Sequence, residues 1–142
     1  MAEGFTIQQK IAALQRLKVD LPKAIAESGQ LYFQKNFDKQ QWDGKPWAPR
    51  KKETKKTIGK HILVGTGALR QSLQNSIIRY DWKSVEWGVN PLSKKDGRSY
   101  AGYLNYGTDK MPAREFIGGS KELNKRIISL IKREFNKVFS AK

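Results

Sequence analysis

Ile77-Ile78-Arg79-Tyr80-Asp81-Trp82-Lys83-Ser84-Val85-Glu86-Trp87-Gly88-Val89 alternates between apolar and polar residues on both sides of one polar pair. Before Lys83-Ser84, Ile78, Tyr80 and Trp82 alternate with Arg79 and Asp81; after it, Val85, Trp87 and Val89 alternate with Glu86 and Gly88. Successive side chains of a strand point to opposite faces, so this period of two predicts an antiparallel hairpin over 77–89 with Ile78, Tyr80, Trp82, Val85, Trp87 and Val89 on its buried face. The connection lacks an Asn-Gly pair, which leaves its turn type open.

Helical patterns flank the hairpin. Ser120 is placed to open a final helix. Leu123, Ile127, Leu130 or Ile131, Phe135 and Val138 or Phe139 form its apolar stripe, with Lys125, Arg126, Lys132, Arg133 and Lys137 around it. A stripe at that spacing is core packing. Upstream, Ile62-Leu63-Val64 reads as a short strand or turn entry, and Thr66 as the cap of a short helix carrying Leu69 and Leu73 four apart. At the N-terminus, Thr6 can cap a helix over 6–18 with Ile7, Ile11, Leu14 and Leu17 or Lys18 at helical spacing. Leu21-Pro22 interrupts that pattern, because a proline pushes the preceding residue out of the helical region. Ile25, Gly29, Tyr32, Phe33 and Phe37 continue the spacing to about residue 38, so either two helices or one kinked helix fits. The expected fold is α+β: N-terminal helices, a small antiparallel sheet with the 77–89 hairpin, and a C-terminal helix packed on the sheet.

Residues 40–60 differ in composition. Gln41-Trp42-Asp43-Gly44-Lys45-Pro46-Trp47-Ala48-Pro49 combines turn residues with two tryptophans, and Arg50, Lys51, Lys52, Lys55, Lys56 and Lys60 follow, relieved by Glu53. This reads as an extended basic loop, with Trp42 and Trp47 pinning it to the body in preference to binding a ligand. A second polar, basic loop spans Pro91 to Ser99 and carries Lys94, Lys95 and Arg98.

The 142 residues suit one domain, long enough to bury roughly 68–70% of the unfolded surface. Lys and Arg number 28 against 13 Asp and Glu, a formal net charge of +15, and a field of that sign attracts polyanions. Cysteine is absent, which removes disulfides, thiolate ligands and a thiol nucleophile. The longest apolar run falls short of a membrane span, and Met1 to Phe5 lacks the layout of a signal peptide.

Catalysis finds little support. His61 is the single histidine, and no carboxylates cluster near it in sequence as zinc partners. Thr66, Ser72 and Ser76 have no Gly-x-Ser-x-Gly context. Gly65-Thr66-Gly67 starts like a dinucleotide fingerprint, but Arg70 occupies the place of its third glycine; the glycines serve a sharp strand-to-helix turn instead. We expect no catalytic residue, no metal and no cofactor. Nucleic-acid binding is the alternative that chemistry offers: lysines of the 45–60 segment for phosphates and Trp42 and Trp47 for stacking, without sequence preference and weakened by salt.

An ordered series of short motifs adds a further reading. Asp43-Gly44-Lys45-Pro46-Trp47 is followed by Thr54 or Thr57, then Leu63 with Thr66-Gly67-x-Leu69-x-x-Ser72, then Gly88 of Val85-Glu86-Trp87-Gly88-Val89, then Tyr100-Ala101 with Gly107-Thr108, and last Pro112-Ala113-Arg114-x-Phe116. In that order they resemble the phage virion morphogenesis family, the tail completion proteins of tailed bacteriophages. Two positions depart from its pattern: Glu115 stands where the family often has proline, and Asn105-Tyr106 where an aromatic or acidic pair is commoner.

The resemblance implies a structural protein acting at the neck or tail end of the virion, assembled in the host cytoplasm, working as a homo-oligomeric ring, expected to be a hexamer, with other neck or tail proteins as partners and no membrane. Arg50, Lys51, Lys52, Lys55, Lys56, Lys94, Lys95 and Arg98 are then the candidates for contact with an acidic partner or with DNA in the channel. Candidate interface residues are Trp42, Trp47, Tyr100, Tyr103 and Tyr106, together with Arg114 and Phe116. Arg114 and Glu115 are read either as ion-pair formers or as residues that hold the loop before the last helix, and core packing competes with an interface role for the tyrosines.

Overall fold

The computed structural model describes residues 6–49, 68–89, 105–107 and 112–139. Three helices, α1 (Ile7–Lys39), α2 (Ala68–Gln74) and α3 (Lys121–Phe139), and two hairpins, β1 (Gln41–Trp42) with β2 (Lys45–Pro46) and β3 (Ile77–Tyr80) with β4 (Val85–Trp87), make up the α+β architecture. The long α1 is the spine, and α3, α2 and both hairpins pack against it or against one another's edges.

Thr6 caps α1 as expected: its Oγ1 accepts the Gln9 N–H at 3.1 Å while Gln9 Oε1 accepts the Thr6 N–H at 2.8 Å, a reciprocal capping box. The Leu21-Pro22 ambiguity resolves as one helix running through Pro22. A proline inside a helix forfeits a hydrogen bond at a cost of about 3 kcal/mol. Burial offsets it here: Leu17, Leu21 and Val138 form a small cluster between α1 and α3, with Leu14, Ile25, Ile131 and Phe135 packed around it. α1 stops at Gln40, which takes the left-handed conformation (φ 60°) and turns its N–H back to the carbonyls of Asn36 and Phe37.

The main core lies at the other half of α1. Tyr32, Phe33 and Phe37 receive one aromatic ring from each neighbouring segment: Trp42 stacks on Phe33 with centroids 5.9 Å apart, Trp87 meets Phe33 edge-on at 5.6 Å, and Trp47 and Phe116 meet Phe37 edge-on at 5.6 and 6.3 Å. Leu69 and Leu73 of α2 and Leu123 of α3 complete this cluster. Leu69 and Leu73 therefore do what their spacing predicted; Thr66, their expected cap, lies outside the described residues.

Two expectations need correction. Residues 41–46 are not an exposed loop but a tight hairpin, with Gln41 paired to Pro46 and Trp42 to Lys45. Asp43 (φ 51°) and Gly44 (φ 83°) both sit at positive φ, which is what a two-residue type I′ turn requires and what an Asp-Gly pair favours. Only the remainder of the predicted basic loop, 50–60, lies outside the described residues. The second correction concerns the 77–89 hairpin, which forms in the expected place and keeps the predicted parity at Arg79 and Tyr80 but loses it before them. The register runs Ile77 to Trp87, then Arg79 to Glu86 and Tyr80 to Val85, so a bulge at Ile78 absorbs one residue. Ile77, not Ile78, is half-buried beside Trp87, while Ile78 is 63% and Trp82 47% exposed. Arg79 and Glu86 pair on the outer face at 2.8 Å.

Candidate functional site at the motif junction

The fold brings two of the sequence motifs into contact. Asp43 to Trp47, on the β1–β2 hairpin, lies against Pro112 to Phe116, the extended segment that leads into α3. The Trp47 indole Nε1–H donates to the Glu115 carbonyl at 2.8 Å, and the Arg114 guanidinium reaches back, donating from Nε to the Ala48 carbonyl at 3.0 Å and from Nη2 to that of Pro49 at 3.3 Å. Side chains from each side thus satisfy backbone carbonyls on the other. Arg114 is 9% exposed, and its bonds to Ala48 and Pro49 tie the segment before α3 to the end of the hairpin.

Asn105 supplies a third strut. It is 4% exposed, and its Oδ1 accepts the N–H groups of Phe116 at 2.9 Å and Ile117 at 3.3 Å. A phenylalanine or tryptophan side chain there has no acceptor for these donors. Asn105 thus fixes the start of the segment that leads into α3.

At the hairpin tip a polar chain runs from α1 to α3. Ser120 caps α3 as predicted, its Oγ accepting the Leu123 N–H at 3.2 Å. The same hydroxyl donates to Asp43 Oδ1 at 2.8 Å and lies 2.6 Å from the Tyr32 phenol. Asp43 Oδ1 also accepts the Glu122 N–H at 3.0 Å, so a side chain 79 positions away in sequence helps cap the helix. The Glu122 N–H and then the Ser120 hydroxyl hold the Asp43 carboxyl below its ordinary value of 3.8. Burial, the largest effect on Tyr32, pushes its phenol up from 10.0. Asp43 stays ionised and Tyr32 protonated at neutral pH, so the chain acts as a fixed clamp between hairpin and helix. Arg126 of α3 adds a cation over the Tyr32 ring at 5.2 Å.

The clamp has a pH signature. Because the native carboxyl is lowered, its stabilising contribution is complete above the ordinary value near 3.8 and is lost as pH falls through the native value. Asp43→Asn is expected to be less stable than the parent chain at pH 7, with the gap closing on acidification below pH 4; paired urea titrations across that range measure it, and a gap that persists at low pH contradicts the assignment.

Trp42 and Trp47, each 8% exposed, and Phe116, fully covered, are core residues of the single chain, not open interface residues. Both tryptophans border an open cavity of ≈ 510 Å³ whose lining includes Lys45, Lys121, Asp43 and Glu115. Tyr106 is 79% exposed and remains a free surface aromatic. Arg50, Lys51, Lys52, Lys55, Lys56, Lys94, Lys95, Arg98, Tyr100, Tyr103 and His61 lie outside the described residues. The residues that sequence reasoning missed are Tyr32, Asn105 and Asp43. An Asp-Gly pair before Lys-Pro-Trp was a hairpin signal for Asp43; nothing local marked the other two.

Among the described residues, no three His, Cys, Asp or Glu side chains gather as metal ligands, and no helix is long and apolar enough to cross a membrane. The buried Ser76 hydroxyl has no hydrogen-bond partner there that could activate it. No curated protein and no solved structure matches the chain. A family model does match, over residues 6–136, a span that includes the motif junction, both hairpins and most of α3. By that match the chain belongs to the phage virion morphogenesis family, and its role is the building of a phage virion.

Proposed function

We propose that this protein completes the tail at the neck or tail end of a tailed phage or prophage and makes it competent to join the filled head. The family match over 6–136 carries this reading. In this reading the protein works as a ring, with a hexamer as the expected count, and its partners are copies of itself and other neck or tail proteins. A body held by backbone-to-side-chain latches, with Tyr32, Ser120 and Asp43 fixed as a clamp, suits a subunit that carries load without chemistry. The net charge of +15 suits a surface facing DNA in a channel or an acidic neck protein.

The test is genetic and physical. Lys51, Lys52, Lys55 and Lys56 changed together to Glu are expected to leave the thermal midpoint within a few degrees of the parent, yet to block formation of infectious particles in a complementation assay. Normal particle yield from the altered chain refutes a docking or DNA-contact role for that segment. Light scattering at low and high salt, with and without short duplex DNA, separates the two readings of the charge. A ring-sized species without DNA supports the structural role. A monomer that gains mass only with DNA, and loses it in salt, supports a nucleic-acid-binding protein instead. That alternative rests on the charge alone, because Trp42 and Trp47 are committed to the core and offer no open ring face for stacking.

A further inference from the structure

The end of the molecule away from the motif junction carries an apolar groove. The N-terminal half of α1, the β3–β4 turn and the C-terminal half of α3 enclose it, with Ile11, Leu14, Ile25, Trp82, Ile131 and Phe135 among its walls. Two adjoining hollows of ≈ 450 and ≈ 350 Å³ share Trp82 and Phe135, so they form one channel along α1. Beyond Phe135 the apolar surface continues to Phe139, 52% exposed, which stacks on Phe135 at 6.0 Å.

Trp82 is the informative residue. A tight turn is ordinarily built from polar or small residues, yet here an indole stands 47% exposed at the tip. The tip is also fixed. Asp81 Oδ1 accepts the N–H groups of Lys83 at 2.7 Å and Ser84 at 2.9 Å, and the Asp81 N–H donates to the Ser84 carbonyl at 2.8 Å. The two backbone N–H groups, Ser84's first, hold the Asp81 carboxyl below its ordinary value, so this brace persists at neutral pH. A large aromatic ring presented on a braced turn beside an apolar groove is a preorganised anchor.

Charge selects the occupant. Lys18 and Lys83 line the channel, and Asp81, the one carboxylate among the described lining residues, is turned inward to its own backbone. A second copy of a chain with net charge +15 would set like charges against these lysines. Length and shape select further: α1 lines the channel from Ile11 to Ile25, about 21 Å at helical rise, enough for about four turns of a helix laid in the groove.

We propose that this groove binds an acidic amphipathic α-helix of a partner protein, with Trp82 as the apolar anchor and Lys18 and Lys83 as the charged flank. The test uses the full chain and a fluorescently labelled synthetic helix of Leu and Glu with one apolar seam, read by anisotropy. Its controls are the same helix with Lys for Glu, and a scrambled Leu/Glu peptide of equal charge without the seam. The seamed acidic helix is expected to bind; Trp82→Ala is expected to weaken it about tenfold or more, and Lys18→Glu with Lys83→Glu to weaken it and flatten its salt dependence. All three side chains are exposed, so an unchanged thermal midpoint verifies folding. Failure of the seamed helix to bind, equal binding of the scrambled peptide, or indifference to Trp82→Ala overturns the proposal. A dimer of the chain alone that Trp82→Ala dissolves overturns it in favour of a second copy. Binding to anionic phosphatidylglycerol vesicles that Trp82→Ala abolishes, without helix binding, overturns it in favour of a membrane surface.

Discussion

Trp47→Ala is expected to lower the free energy of unfolding by about 3–5 kcal/mol, the range for deleting a large aromatic ring from a core. The indole is 8% exposed, meets Phe37 edge-on at 5.6 Å and donates to the Glu115 carbonyl at 2.8 Å. Its removal opens a cavity beside Phe37 and cuts one of the latches between the β1–β2 hairpin and the segment before α3. Against a total stability of about 5–15 kcal/mol for a domain, such a loss leaves a substantial unfolded fraction at 37 °C. Trp47→Phe separates the two contributions: it keeps a ring against Phe37 and loses the donor, and its expected cost is about 1–2 kcal/mol. Urea unfolding followed by circular dichroism measures both. Equal stability of Trp47→Ala and the parent would return Trp47 to the list of surface residues and restore the stacking reading of the loop.

Gly29→Ala is the second large effect, and its sign is opposite to the usual one. In a helix interior, replacing Gly by Ala ordinarily stabilises by about 1 kcal/mol. Here the Trp87 indole lies on the α1 backbone at Gly29: an added Cβ would press against Cζ2 and stand 2.6 Å from Cε2. The ring has nowhere to go, because its Nε1–H donates to the Ala26 carbonyl at 2.9 Å and Phe33 holds its face edge-on at 5.6 Å. Either the hydrogen bond breaks or the β3–β4 hairpin lifts from the helix, and overpacking of this kind costs about 1–3 kcal/mol. A net loss of about 2 kcal/mol is expected once the propensity gain is subtracted from the steric cost and the lost hydrogen bond. Trp87→Leu is the diagnostic partner. Paired with Gly29→Ala it should cost less than the two single losses summed, since the clash is removed with the ring. A Gly29→Ala chain more stable than the parent would show that the hairpin is free to shift.

The Trp47 and Asn105 latches bring two motif segments and the Asn105 turn together. Asp43 to Trp47 and Pro112 to Phe116 are remote in sequence, but the Trp47 indole donates to the Glu115 carbonyl and Arg114 donates to the Ala48 carbonyl just beyond the hairpin. The order of motifs was readable in the chain; their mutual contact was not, because no local pattern states which distant carbonyl an indole will find.

The sequence by itself determined the elements whose cause is local. Thr6 and Ser120 cap their helices because a hydroxyl three residues before an N–H reaches it. Leu69 with Leu73, and the stripe from Leu123 to Val138, face inward because helical spacing puts them on one side. The 77–89 hairpin and the family membership were legible in the chain as well, as was the net charge of +15. Only the tertiary structure decided the rest. A bulge at Ile78 set Ile77, and not Ile78, opposite Trp87, since period two carries no memory of one extra residue. Packing against α3 carried α1 through Pro22, a break that local preference favoured. Residues 41–46 became a buried-edged hairpin, and not the start of a solvated arm, because Phe33 and Phe37 on α1 offered two ring faces that Trp42 and Trp47 could cover. In each case a contact between distant residues outweighed the preference of the residues alone, and burial of aromatic surface was the term large enough to do so.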